Sequence, residues 1–153
     1  MERRIAPPSE LEYILDKLVD HAEGKEPLFA SKQKAMMFAA GLGWKKKERT
    51  ELSKRGTSIR FDIFEKAIDD AFINAMALAE TNDLEILSSE KDDERAKIFE
   101  EYAHTGMIEI AKKCYETAGD PLETLLYLAN ETRIDEDPEL PGMDPAILKS
   151  LIK

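Results

Sequence analysis

The sequence predicts an all-α fold: a compact bundle of about six helices, with a minor two-stranded β element and a C-terminal tail that carries a short amphipathic helix. Three observations support this. Apolar residues recur at spacings of three and four through most of the 153 residues. Only one short run, Thr57 to Phe61, alternates as a strand does. All seven prolines stand at or outside the ends of the periodic segments. The expected organisation is an N-terminal arm over residues 1–8, a helical domain over 9–132, and an acidic linker with an apolar helical tail over 133–153.

Ser9-Glu10-Leu11-Glu12 has the pattern of a capping box, in which the serine accepts from the N3 amide and Glu12 reaches back to the cap. The helix it opens places Leu11, Ile14, Leu15, Leu18, Val19 and Ala22 on one face, and Gly24 supplies a left-handed stop. Ser31 caps a second, shorter helix with Ala35, Met36, Phe38, Ala39 and Leu42 inward, its end weakened by Gly41 and Gly43. From Trp44 the periodicity fails and Thr, Ser and Gly56 enter, so an exposed loop is expected. Thr57-Ser58-Ile59-Arg60-Phe61 then reads as a strand, with Leu28-Phe29 as its expected partner.

Asp62 offers a cap for the helix expected at the centre of the bundle, patterned by Phe64, Ala67, Ile68, Ala71, Phe72, Ala75, Met76 and Ala79. Its alanines, every fourth residue, form a ridge that lets a neighbouring helix approach closely. Asn82-Asp83 ends it, and Leu84, Ile86 and Leu87 are expected in a short turn against the core. Ser89 opens the next helix, with Ala96, Ile98, Phe99, Tyr102 and Ala103 inward and an interruption at Thr105-Gly106. A further helix buries Met107, Ile108, Ile110, Ala111, Cys114 and Tyr115, pairs Glu109 with Lys113 at i,i+4 and stops at Gly119. Asp120-Pro121-Leu122-Glu123 combines an N-cap, a first-turn proline and an acidic N3 residue. Leu122, Leu125, Leu126 and Ala129 then close the core. Beyond the acidic stretch from Arg133 to Gly142, Asp144-Pro145 starts a last turn or two whose apolar side is Ile147, Leu148, Leu151 and Ile152. That segment is too short to be stable alone, so it docks on its own domain or in the groove of a partner.

Charge is distributed unevenly. The chain carries −10 overall, yet Trp44 to Arg60 holds seven of its 22 basic residues against two acids, a local +5 beside −15 for the rest. Lys45, Lys46, Lys47, Arg49, Lys54, Arg55 and Arg60 are therefore the candidate contacts for a nucleic acid or an acidic partner. The alternative is that this loop pairs in cis with acids following Asp62.

Residues suited to catalysis are sparse, and an enzyme is not expected. Gly41-Leu42-Gly43 lacks the third glycine, the Lys-Ser/Thr ending and the preceding strand of a phosphate loop. The single Cys114 sits in a helical apolar pattern and reads as a small hydrophobe. His21 and His104 form no metal set with it, so neither metal nor cofactor is expected. Asp69-Asp70, Asp92-Asp93-Glu94 and Glu100-Glu101 read as solvated faces, because sequence neighbours on a helix point about 100° apart. Met1 to Pro8 lacks the apolar core of a signal peptide and no stretch approaches a membrane span, which points to the cytoplasm.

Several blocks resemble one family: Met37-Phe38-Ala39-Ala40-Gly41-Leu42-Gly43-Trp44-Lys45-Lys46, Arg60-Phe61-Asp62-Ile63-Phe64, Ala75-Met76-Ala77-Leu78-Ala79-Glu80-Thr81, Ile98-Phe99-Glu100-Glu101-Tyr102-Ala103 with Gly106, and Gly119-Asp120-Pro121-Leu122. This run, from about Leu28 to Glu131, is similar to the DNA phosphorothioation-associated protein 4 family. Its members are small accessory proteins of bacterial systems that place sulfur in the DNA backbone and restrict DNA lacking it. The resemblance implies a setting, anti-phage modification and restriction, and supplies no catalytic residues. The expected role is a non-catalytic adaptor that binds a larger protein of such a complex. The alternative is direct binding of the DNA backbone through residues 45–60.

Overall fold

The computed structural model describes residues 4–20, 26–60, 63–64 and 68–131. The positions assigned above to His21, Ala22, Gly24, Phe61, Asp62, Ala67 and the whole of 133–153, with Ile147, Leu148, Leu151 and Ile152, lie outside them. Among the described residues the elements are β1 (Arg4–Ile5), α1 (Glu12–Leu18), α2 (Lys32–Lys46), β2 (Ile59–Arg60), α3 (Asp69–Thr81), α4 (Asp92–Ile110) and α5 (Pro121–Glu131). This is the expected helical bundle with a minor sheet.

The central helix is α4, not α3. From Ile98 to Met107 every residue of α4 is buried, and the expected break at Thr105-Gly106 does not occur. Gly106 is needed for packing instead: a β-carbon there would lie 2.8 Å from the Ala39 Cα on α2. Gly43 of α2 meets the main chain of Tyr102 in the same way. With Ala39, Ala40 and Ala103 buried between them, α2 and α4 pack backbone to backbone. The residues expected to form a separate helix after Gly106 continue α4 and widen into a π turn over Ala111–Tyr115.

The helix ends follow local chemistry in some places and tertiary contacts in others. Ser31 caps α2 by accepting from the Lys34 amide at 3.4 Å. Asp120 precedes α5 and accepts from the Leu122 amide at 3.1 Å. The expected capping box at Ser9 does not form. Ser9–Leu11 is a 3-10 turn whose Ser9 amide donates to the Lys54 carbonyl, and Glu12 accepts from the Thr57 amide at 3.0 Å. Both residues of the box are drawn to the 54–57 loop. α2 runs past Gly41 and Gly43 through Trp44 to Lys46, closed by Lys47 at φ 56°, so the basic segment begins inside a helix. β2 pairs antiparallel with β1, Arg4 opposite Arg60 and Ile5 opposite Ile59, rather than with Leu28-Phe29. The Phe29 amide donates instead to the Leu18 carbonyl. Ile5, Ala6, Pro7 and Pro8 are buried, so these residues of the expected arm lie in the body.

Two expected faces are rotated. α3 buries Asp69, Ile73, Met76 and Ala77, whereas Ile68, Ala71, Ala75 and Ala79 are exposed. The alanine ridge thus faces outward. α5 buries Leu125 and Leu128, while Leu122 and Leu126 are exposed. In the turn expected against the core only Ile86 is buried, Leu84 and Leu87 being exposed, whereas Ile14, Leu15, Leu18, Met36, Leu42, Phe99, Met107 and Ile110 are inside as patterned. Phe64 meets Phe99 edge to face at 5.9 Å. Cys114 is buried and its thiol is pushed up by that burial, the behaviour of a packed hydrophobe.

Candidate functional site

The basic segment lies against α4, and the carboxylates read as solvated faces hold it there. Glu100 and Glu101 are buried, at 3% and 7% exposure. Arg49 bridges two helices, donating to Glu101 of α4 at 2.7 and 3.1 Å and to Glu80 of α3 at 2.8 Å. Arg55 donates to Glu100 at 2.6 Å, whose other oxygen accepts from the Ala6 amide at 2.8 Å. Lys46 pairs with Glu109, which also holds Lys113 at 2.8 Å. Charge-assisted contacts to buried carboxylates explain how a chain segment with little apolar content acquires a fixed course.

Thr50 adds a neutral stitch. Its amide donates to the Glu101 carbonyl at 3.2 Å, and its hydroxyl lies 2.7 Å from that of Thr105. The Thr105 hydroxyl itself donates to the Glu101 carbonyl at 3.3 Å. The Thr50 carbonyl lies 3.1 Å from His104 Nδ1. A carbonyl only accepts, so that nitrogen carries the proton, and Nε2 faces Glu10 at 3.5 Å. His104 is a structural residue holding loop and N-terminal turn to α4.

The seven cations therefore divide. Lys46, Arg49 and Arg55 are paired within the chain, and Arg60 stands in β2. Lys45, Lys47 and Lys54 are exposed, with no ion pair among the described residues. For Lys46, Arg49 and Arg55 the structure shows the alternative that the charge balance offers, pairing in cis with acids that follow Asp62. A +5 segment in a chain rich in long acidic side chains is as readily neutralised from within as from outside, and Glu100, Glu101 and Glu109 of α4 with Glu80 of α3 are the acids that do it here.

Trp44, the chain's one tryptophan, marks the boundary between two surfaces. On one side it meets Tyr102 edge to face at 5.2 Å in a cleft completed by Lys47, Arg49 and Glu80. The Tyr102 hydroxyl donates to Glu80. Burial together with that carboxylate pushes the phenol up to about 12, while the Tyr102 and Arg49 donors hold Glu80 below the usual carboxylate range. On the other side Trp44 closes an apolar groove of about 270 Å³ with Phe72, Ala75, Met76 and Ala79 of α3. Among the described residues no three His, Cys, Asp or Glu side chains converge as metal ligands do, and no helix is long and apolar enough to cross a membrane.

These features define a small helical-bundle protein whose basic segment is held in part by its own carboxylates and whose helix α3 turns a row of alanines outward. The chain belongs to the family described as DNA sulphur modification system-associated protein 4, whose profile matches residues 4–143. It has no significant match among curated proteins or among solved structures.

Proposed function

We propose that the chain is a non-catalytic, cytoplasmic accessory protein of a DNA sulphur-modification system, docking on a larger protein component through the face made by Trp44 and α3. One observation supports this above the others. Ile68, Ala71, Ala75 and Ala79 turn away from a core that is already complete, and small side chains spaced by four leave a shallow groove suited to another helix. Family membership supplies the setting in which a partner is available. Co-expression with the other proteins of the same system tests the reading. The chain is expected to co-elute with one larger component and to lose it on Ala75→Arg. Elution as a lone protein in low salt, with all of those components present, overturns it.

Direct binding to the DNA backbone is the second reading, favoured by exposed Lys45, Lys47 and Lys54. With three phosphate contacts, affinity falls about 40-fold between 50 and 200 mM salt; seven contacts would give a fall of several thousandfold. Neutralising those three lysines abolishes DNA retention under this reading and leaves protein docking by the α3 face intact.

A further inference from the structure

We infer that in the free protein the Trp44–α3 groove is occupied in cis by the chain's own C-terminal segment, around Ile147, Leu148, Leu151 and Ile152, with the acidic stretch before it crossing Lys45 and Lys47. The inference rests on the reading of that face as a docking surface and names its resting occupant. Three observations converge on it. The first is where the described chain ends: Glu131, the last residue of α5, lines one hollow with Leu42, Lys45, Lys46 and Leu128. It therefore leaves the body beside the C-terminal end of α2, whose Trp44 closes the groove from the other side. Residues 132–143 reach at most about 40 Å when extended, and the helix to be crossed is about 10 Å thick.

The second observation is charge. The route passes the end of α2, where Lys45 and Lys47 are exposed without an ion pair among the described residues. The stretch that would cross it carries Asp135, Glu136, Asp137 and Glu139 against Arg133. The third is shape. Ile147, Leu148, Leu151 and Ile152 share one face at helical spacing, and the groove is floored by Ala75 and Ala79 with Phe72, Met76 and Trp44 around them. Tethering supplies the stability that so short a segment lacks. At an effective concentration of about 1 mM, a segment that binds in trans with a Kd of about 0.1 mM is closed about 90% of the time. A larger partner docking on α3 must displace it, so the tail acts as a latch on the docking face.

Trp44 reports on the groove without added label. In the full chain, Ile147→Asp with Leu151→Asp is expected to shift Trp44 emission to the red and raise its quenching by acrylamide, equally at low and high protein concentration. A synthetic peptide of residues 132–153 added to that variant reverses both, with Kd near 0.1 mM, weakened about fivefold by Lys45→Glu with Lys47→Glu. Emission unchanged by the tail variant, or a peptide Kd weaker than about 1 mM, overturns the inference. A shift that depends on protein concentration also overturns it, placing the segment in a second copy. Loss of partner on Ala75→Arg with Trp44 indifferent to the tail removes the latch and leaves the accessory role standing; the reverse pattern keeps the latch and removes that role.

Discussion

Gly106 of α4 crosses the main chain of α2 at Ala39 with no room for a side chain between them, since a β-carbon at 106 would overlap the Ala39 carbonyl group. The colliding atoms are backbone, which cannot rotate aside as a side-chain tip does. Any residue larger than glycine drives the two helices apart and strains the loop contacts that depend on their spacing.

Gly106→Ala is accordingly expected to destabilise by more than the roughly 1–3 kcal/mol of ordinary overpacking, although alanine favours a helix by about 1 kcal/mol over glycine. Gly41 is the internal control. It lies in the same pair of helices, and nothing stands within 4 Å of its would-be β-carbon. Gly41→Ala should therefore stabilise by up to about 1 kcal/mol. Denaturant unfolding of the two variants decides the matter; effects of the same sign and size would show that the close approach does not govern packing.

Arg49 joins α3 to α4 through Glu80 and Glu101, and the two pairs are not equivalent. Glu101 has 10% of its side chain exposed and Glu80 27%. Arg49→Met leaves the Glu101 carboxylate buried beside a thioether, at a cost of about 2 kcal/mol. Glu80→Gln keeps an acceptor for Tyr102 and is expected to cost less than about 1 kcal/mol. In a double-mutant cycle with Glu101→Gln, the Arg49 coupling should exceed about 1 kcal/mol. Additive effects would mean that the ion pair contributes nothing to holding the loop.

Local patterning made most of the architecture legible. Ser31, Asn82 and Asp120 mark helix ends because each completes its turn with its own side chain or tolerates a left-handed backbone. The central position of α4 was hidden because its buried face includes Glu100, Glu101, His104, Thr105 and Glu109, residues that a hydrophobic period counts as solvent-facing. Their partners, Arg49, Thr50, Arg55 and Lys46, lie about 45 or more positions away, and pairing at that separation leaves no periodic signature. The same limit rotated α3. Alanine counts toward either face, so Ala71, Ala75 and Ala79 fitted an inward ridge as well as the outward one the protein uses. The capping box at Ser9 failed for a related reason, since residues 54–57 compete successfully for both of its members.

The two buried acids of α4 should respond to pH in opposite senses. Burial tends to raise the Glu109 carboxyl, but the ammonium groups of Lys113 and Lys46 outweigh it and hold the group below its ordinary value of 4.5. The native state thus favours ionised Glu109. Its contribution to stability is present above the ordinary value and is lost as pH falls through the lowered one. Glu100 is raised above 4.5 by burial, which prevails over the Ala6 amide and Arg55. Its contribution is fully present below the ordinary value and is lost as pH rises through the raised one. Neither Glu109→Gln nor Glu100→Gln titrates at its site. The stability deficit of Glu109→Gln relative to the parent should therefore be largest near neutral pH and shrink on acidification. For Glu100→Gln the balance should move in the variant's favour as pH rises from below about 4.5 toward neutrality. Denaturant unfolding across that range measures both differences, and parallel pH profiles for the two variants would contradict the opposed roles assigned to Glu100 and Glu109.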